Sequence, residues 1–195
     1  MSFCFIRPIK PIFLISKWYK NKKNINSIVP KISMGFIRIK KINGKGYAYL
    51  VENRWFKRKF KGKSKGSRQK VSKYLGKVHN FDKANNEDFL DFKKISSLEE
   101  YLKNHKDQII KDLVEWELYR HNIDNSFAID FDKKRIMKRN KEATLKLNEG
   151  FLNSYTLGRL FIPRSNDSYY LAKCFVDAGI EIPKEVFAGL FSKNT

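Results

Sequence analysis

The chain has 195 residues, 42% of them hydrophobic and 14% aromatic, with 41 Lys and Arg against 20 Asp and Glu and a formal net charge of +21. That length suits one compact domain or two small ones, and that apolar content excludes wholesale disorder. The charge is uneven: residues 1–81 hold 22 basic residues and one acid, whereas residues 82–195 hold 19 of each sign and balance to zero.

Residues 1–33 contain no acid, and their apolar run from Phe3 to Ile15 is broken by Arg7, Pro8, Lys10 and Pro11. The run is shorter than the roughly 20 residues of a membrane span and lacks the small-residue cleavage site of a signal peptide. Two readings stay open for it. It is a disordered basic arm, or it is a non-native extension upstream of a true start at Met34.

A regular pattern begins just after Met34. Phe36 to Ile42 reads as a strand, and Asn43-Gly44 is a strong hairpin signal because both residues tolerate positive φ. Tyr47 to about Trp55 reads as the second strand, with Tyr47, Tyr49 and Val51 on one face and Ala48, Leu50 and Glu52 on the other. The run from Lys57 to Ser67 alternates Lys with Gly and Ser and reads as a flexible cationic loop. Arg68 to about Tyr74 is the third strand, closed by Leu75-Gly76. Residues 35–78 hold 15 Lys and Arg and a single acid, Glu52.

Residues 81–96 read as a polar linker. Ser97 and Glu100 have capping-box spacing, and Leu98, Tyr101, Leu102, Ile109, Leu113, Trp116 and Leu118 continue at helical spacing to near His121. Phe127, Ile129 and Phe131 alternate as a strand, with Ala143, Leu145 and Leu147 as its partner. Asn148 is a candidate cap for a helix through about Phe161, Asp167 or Ser168 for another ending at Gly179, and Pro183 opens a last helix through Phe191. The expected fold is α+β: an N-terminal three-stranded antiparallel sheet followed by a mostly helical domain with a small β-hairpin. The expected divisions are residues 1–33, 34–80, 81–96 and 97–195.

A basic block condenses on a polyanion by releasing counterions, and nucleic acid is the partner that charge mixed with aromatics suits. The candidate phosphate contacts are Arg38, Lys40, Lys41 and Lys45 of the first hairpin, Arg54 of the second strand, and Arg68, Lys70, Lys73 and Lys77 of the third. Lys57, Arg58, Lys59, Lys61, Lys63 and Lys65 of the loop add affinity without sequence choice. Tyr47, Tyr49, Trp55 and Tyr74 offer flat faces for bases or sugars, although aromatics on strands also serve simply as a sheet's core.

These residues carry a resemblance. FIRIKKINGKGYAYLVENRW followed by SRQKVSKYLGKV is similar to the N-terminal segment of many DDE-type insertion-sequence transposases. There a short antiparallel sheet carries a Tyr-x-Tyr-Leu-Val-Glu pattern and ends in Arg-Gln-x-x-x-x-Tyr-Leu-Gly-Lys. The matching positions are Tyr47, Tyr49, Leu50, Val51, Glu52, Arg68, Gln69, Tyr74, Leu75, Gly76 and Lys77. The likeness covers residues 35–78 only, and the catalytic core of those enzymes does not fit in the residues that follow. It implies a nucleic-acid-binding module derived from a mobile element, not transposition.

Other chemistry is sparse. Asp130 and Asp132 on alternate strand positions, with Glu149, offer a divalent-metal site for a nuclease; the plain alternative is a polar strand face matched to Lys133, Lys134 and Arg135. Cys4 and Cys174 make no disulfide framework, and His79, His105 and His121 lack metal-ligand spacing. No P-loop, GxSxG or HExxH occurs. The last two helices resemble a helix-turn-helix only in packing, since the second lacks basic groups at its start. The sequence thus reads as a non-catalytic, cytoplasmic, cofactor-free binder of DNA or RNA. An RNA- or ribosome-associated basic protein, a metal-dependent nuclease and a module docking an acidic partner, with a protein contact through the C-terminal domain, stand as alternatives.

Overall fold

β1 (Phe36–Ile42), β2 (Lys45–Phe56) and β3 (Gly66–Asn80) form an antiparallel meander. The computed structural model describes residues 35–56, 66–162 and 168–192, within the compact unit Met34–Thr195. The arm at residues 1–33 and the cationic loop from Lys57 to Lys65 lie outside the described residues. Asn43 and Gly44 take φ of 50° and 72°, the pair of positive values that a tight I′ hairpin needs. They set the register, with Ile42 opposite Lys45 and Phe36 opposite Val51. β3 is longer at both ends than its alternation suggests.

The sheet does not stop at β3. After it come α1 (Phe89–Phe92), α2 (Leu98–Tyr101), α3 (Lys106–Arg120), β4 (Phe127–Asp130), β5 (Arg135–Lys138), β6 (Lys141–Leu147), β7 (Gly150–Leu152), α4 (Ser154–Leu160), α5 (Ser168–Ala178) and α6 (Lys184–Ser192). β6 lies parallel to β3, with Lys77 opposite Ala143 and Asn80 opposite Lys146. β5 and β7 pair antiparallel with β6, and β4 with β5. The result is one seven-stranded sheet of order β1-β2-β3-β6-β5-β4, with β7 also on β6.

The expected α+β fold, a self-contained three-stranded sheet followed by a mostly helical domain, is therefore corrected. The protein is a mixed α/β fold, strands first, with seven strands in one sheet and six helices among the described residues. The physical reason is the joint between β3 and β6. A parallel pair needs a long crossover, here residues 81–140, and no local signal announces it. The joint is tight: the Thr144 hydroxyl, fully buried, donates to the Leu75 carbonyl at 2.8 Å.

Gly76 sits in that joint. β3 carries a bulge where Ala48 faces Gly76 and Tyr49 faces Tyr74, leaving Leu75 extra. Gly76 takes φ +108°, and a Cβ there would collide with the backbone of Glu142 and Ala143 on β6. Glycine is thus required twice over, for the bulge's backbone and for the approach of β6.

The core lies beyond the meander. Ile109, Ile110 and Leu113 of α3 meet Leu145 and Leu147 of β6, Leu152 of β7, Leu157 of α4 and Phe175 of α5, all essentially buried. Each such side chain contributes about 1.5–3 kcal/mol over its exposed state. The single helix expected from Ser97 to His121 is two. Ser97 caps only the one turn of α2, and the His105 side chain caps α3 by accepting from the Asp107 amide. The stretch expected as linker contains α1, whose Phe89 is fully buried against Tyr101 and Trp116. Asn148 is not the cap of α4. It takes φ 46° in the turn between β6 and β7, and Asn153 caps instead, in a reciprocal capping box with Thr156. α5 stops at Gly179 and α6 begins after Pro183, as the sequence suggests.

Candidate nucleic-acid interface

Strand pairing sorts the first three strands into two faces, because residues directly opposite one another share a side. One face turns inward. Ala48 is fully buried there, Gly46 lies against Val78, and Gly35 lies against Leu50. α4 covers this side: the Tyr155 hydroxyl donates to the Gly35 carbonyl at 3.2 Å, and Lys73 Nζ donates to Ser154 Oγ at 3.1 Å.

The other face, part exposed and part buried, holds the aromatics. Tyr47, Tyr49 and Tyr74 gather on β2 and β3, the rings of Tyr49 and Tyr74 with centroids 5.4 Å apart and tilted by 52°. Partial burial, together with Tyr49 and Tyr47 beside it, raises the Tyr74 hydroxyl above its usual pKa. Tyr74 is 44% exposed and Trp55, further along β2, 64% exposed. Tyr47 and Tyr49 are half-buried and Val51 on the same face is 1% exposed, so this face is packed around Val51 and open at Tyr74 and Trp55.

Basic groups frame the rings. Arg38 stands opposite Tyr49 and Lys40 opposite Tyr47 on β1, and Lys77 stands opposite Tyr47 on β3. Lys40 Nζ lies 6.0 Å from the Tyr49 ring centre. Arg38 donates to Gln69 Oε1 at 2.7 Å; the register places Val51, 1% exposed, beneath that bridge. Lys45 follows the same alternation near the hairpin. Beyond Lys77 the face continues to His79, which stacks edge-on against Phe127, with Lys138 Nζ 4.1 Å above the Phe127 ring. Burial, then Lys138 and Lys77, lower the His79 pKa below its usual value.

The remaining sequence candidates lie elsewhere. Lys73 points inward, and its ammonium lies 3.9 Å from Glu142 as well as on Ser154. Lys41 shares the parity of Ile37 and Ile39. Arg54, Arg68 and Lys70 lie on the reverse side of a two-stranded ribbon that β2 and β3 form beyond the start of β1, with Arg54 paired to Glu52 at 3.2 Å. Lys57, Arg58, Lys59, Lys61, Lys63 and Lys65 lie outside the described residues. Phe36, Val71, Gln69, His79 and Lys138 join the outward face, although the sequence pattern does not mark them as contacts. Alternation reveals Phe36; Val71 and Gln69 reach the side of Tyr74 only through the register shift between Leu50 and Val51, and Lys138 requires knowing that β5 exists.

The acidic constellation takes a different form. β4 ends at Asp130, whose Oδ1 accepts the amides of Asp132 and Lys133 at 3.0 and 2.8 Å. It shapes the turn into β5, so Asp132 is not on the strand, and Glu149 sits exposed in the turn between β6 and β7. Among the described residues no three His, Cys, Asp or Glu side chains gather as a metal site. Cys174 is a buried free thiol. α6 has Glu185 in its first turn, a poor start for a recognition helix.

Among the described residues, no helix is long and apolar enough to cross a membrane. No protein-family model, curated protein or solved structure matches the chain.

Proposed function

We propose that this protein binds nucleic acid without transforming it, through the tyrosine-bearing face of β1, β2 and β3. The observation that carries the reading is the gathering of Tyr47, Tyr49 and Tyr74 on one partly exposed sheet face, framed by Arg38, Lys40 and Lys77. Aromatic planes offer contact to bases, and the cations offer contact to phosphates. The Lys57–Lys65 run, which joins β2 to β3 in sequence, adds positive charge. The likeness of residues 35–78 to transposase N-terminal segments supports the same role, since that is the stretch that builds the face. For a protein partner at the C-terminal end, the groups to test are Tyr169 and Val176 of α5, 76% and 68% exposed.

The test is a salt titration of binding to DNA and to RNA. Neutralising Arg38, Lys40 and Lys77 together to Gln lowers the slope of log K against log salt by about 0.7–0.9 for each phosphate that the protein no longer neutralises. A slope that does not move takes these three residues out of the interface. Absence of binding to either polymer at low salt ends the reading.

A further inference from the structure

We infer, resting on the nucleic-acid reading above, that the ligand of this face is a single strand, with neighbouring bases laid on Tyr49 and Tyr74. Three features of the face point there.

The first is width. Hydrogen-bonded strands lie about 4.7–4.9 Å apart, so β1 to β3 span about 10 Å of backbone before side chains are added. β6 extends the sheet further without a break. A B-DNA major groove is about 12 Å wide and admits a helix or a two-stranded ribbon. The tyrosines stand on β2 and β3, interior strands of this sheet, so the sheet cannot carry them into a groove.

The second is what the rings offer. A duplex hides the flat faces of its bases inside the stack, where an exposed tyrosine plane cannot reach them. An unpaired base presents a face that any aromatic ring accepts, whatever the base. Tyr74 remains 44% exposed, so its ring is open to a base arriving from solvent.

The third is spacing. Bases stacked within a duplex rise about 3.4 Å per step. The Tyr49 and Tyr74 centroids are 5.4 Å apart and their planes diverge by 52°. Two bases that follow these planes must splay from each other, which a single strand permits and a paired helix does not. Lys40 and Arg38 on one side and Lys77 on the other are placed for the phosphates that enter and leave.

The experiment compares labelled single-stranded DNA and RNA oligonucleotides with duplexes of the same sequence, by fluorescence anisotropy on the full chain. The expected result is preference for the single strand. Tyr49→Leu and Tyr74→Leu, which keep apolar area on the sheet, each weaken single-strand binding by about 5- to 150-fold, the loss of one stacked base. Tyr74→Phe keeps the ring and stays near wild-type affinity, which separates a missing stack from a damaged fold. Preference for duplex, or single-strand binding unmoved by both Leu changes, overturns the inference and leaves nucleic-acid binding intact. No binding to any of these polymers overturns both.

Discussion

Replacing Glu117 with alanine is expected to cost about 3–5 kcal/mol of folding stability, the loss that follows when one member of a buried charged pair is removed. Glu117 is fully buried near the end of α3. One carboxylate oxygen accepts from Arg120 Nη1 at 3.0 Å and from the Glu181 amide at 3.2 Å. The other accepts from Asn148 Nδ2 at 2.8 Å. Arg120 is itself 4% exposed, lies 4.3 Å from the Trp116 ring centre, and reaches Glu181 Oε2 at 2.7 Å. Its carbonyl accepts the amides of Ala84 and Asn85, at 2.8 and 2.9 Å. One carboxyl group thus ties together α3, the turn between β6 and β7, and the segment between α5 and α6. Alanine strands Arg120 on the more exposed Glu181 and leaves the Asn148 and Glu181 donors unmet.

The same group predicts a pH dependence. Burial pushes the Glu117 carboxyl up to about 7, with Glu181 acting the same way and the hydrogen bonds from Asn148 and the Glu181 amide opposing it. A folded pKa raised above the unfolded one means that the folded chain holds the proton more tightly. The contribution is complete below the unfolded value and is lost as pH rises through about 7. Glu117→Gln removes that titration. In urea unfolding, the stability gap between wild type and Glu117→Gln therefore narrows from pH 5 to pH 7.5. A gap that is constant or widens would show that Arg120 keeps the carboxylate ionised throughout.

How far these features could be read in the sequence follows from how local each cause is. The first hairpin was legible because Asn43-Gly44 decides its own turn and the alternation around it sets the register. The two faces of β2 were legible as sets, Tyr47 with Tyr49 and Val51, Ala48 with Leu50. Which set faces water was not, because both are apolar. Ala48 ends fully buried while Tyr47 and Tyr49 end half-buried, an outcome that packing far along the chain decides. β5 carries little signal because it has only four residues, RIMK, and its flanking turns use Lys134, Arg139 and Asn140 at positive φ where glycine would have been the signal. Asn148 and Asn153 are equally good caps by type, and the intervening β7 decides between them. Glu117 reads as one more charge on an amphipathic helix. Only tertiary packing places it inside. Lys73 reads as one more phosphate contact, and only the distant Ser154 and Glu142 turn it inward.

The second large effect is expected at Gly76. Alanine there is predicted to destabilise the protein by about 2–6 kcal/mol, combining about 1–3 for a strained backbone with about 1–3 for a collision that cannot relax. The collision is with main-chain atoms of Glu142 and Ala143, so no side chain can swing aside. Gly44→Ala is the matched control. Its φ is +72° but nothing lies within 4 Å of the added methyl, so it reports only the backbone cost of about 1–2 kcal/mol. The difference between the two variants isolates the packing of β3 on β6. That packing is also what seats the aromatic face on the body of the protein, since Gly76 opposes Ala48 one step from the pairing of Tyr49 with Tyr74. Relieving the clash by parting β3 from β6 breaks the parallel pairing from Lys77 to Asn80 and frees the face from its support. Gly76→Ala should therefore lose single-strand affinity even at temperatures where it remains folded, whereas Gly44→Ala should keep it. Urea unfolding of both variants, with binding measured on the folded forms, checks the two halves separately. Equal losses of stability would place no close approach of β6 at Gly76. Full affinity in folded Gly76→Ala would show that the meander holds its tyrosines without β6.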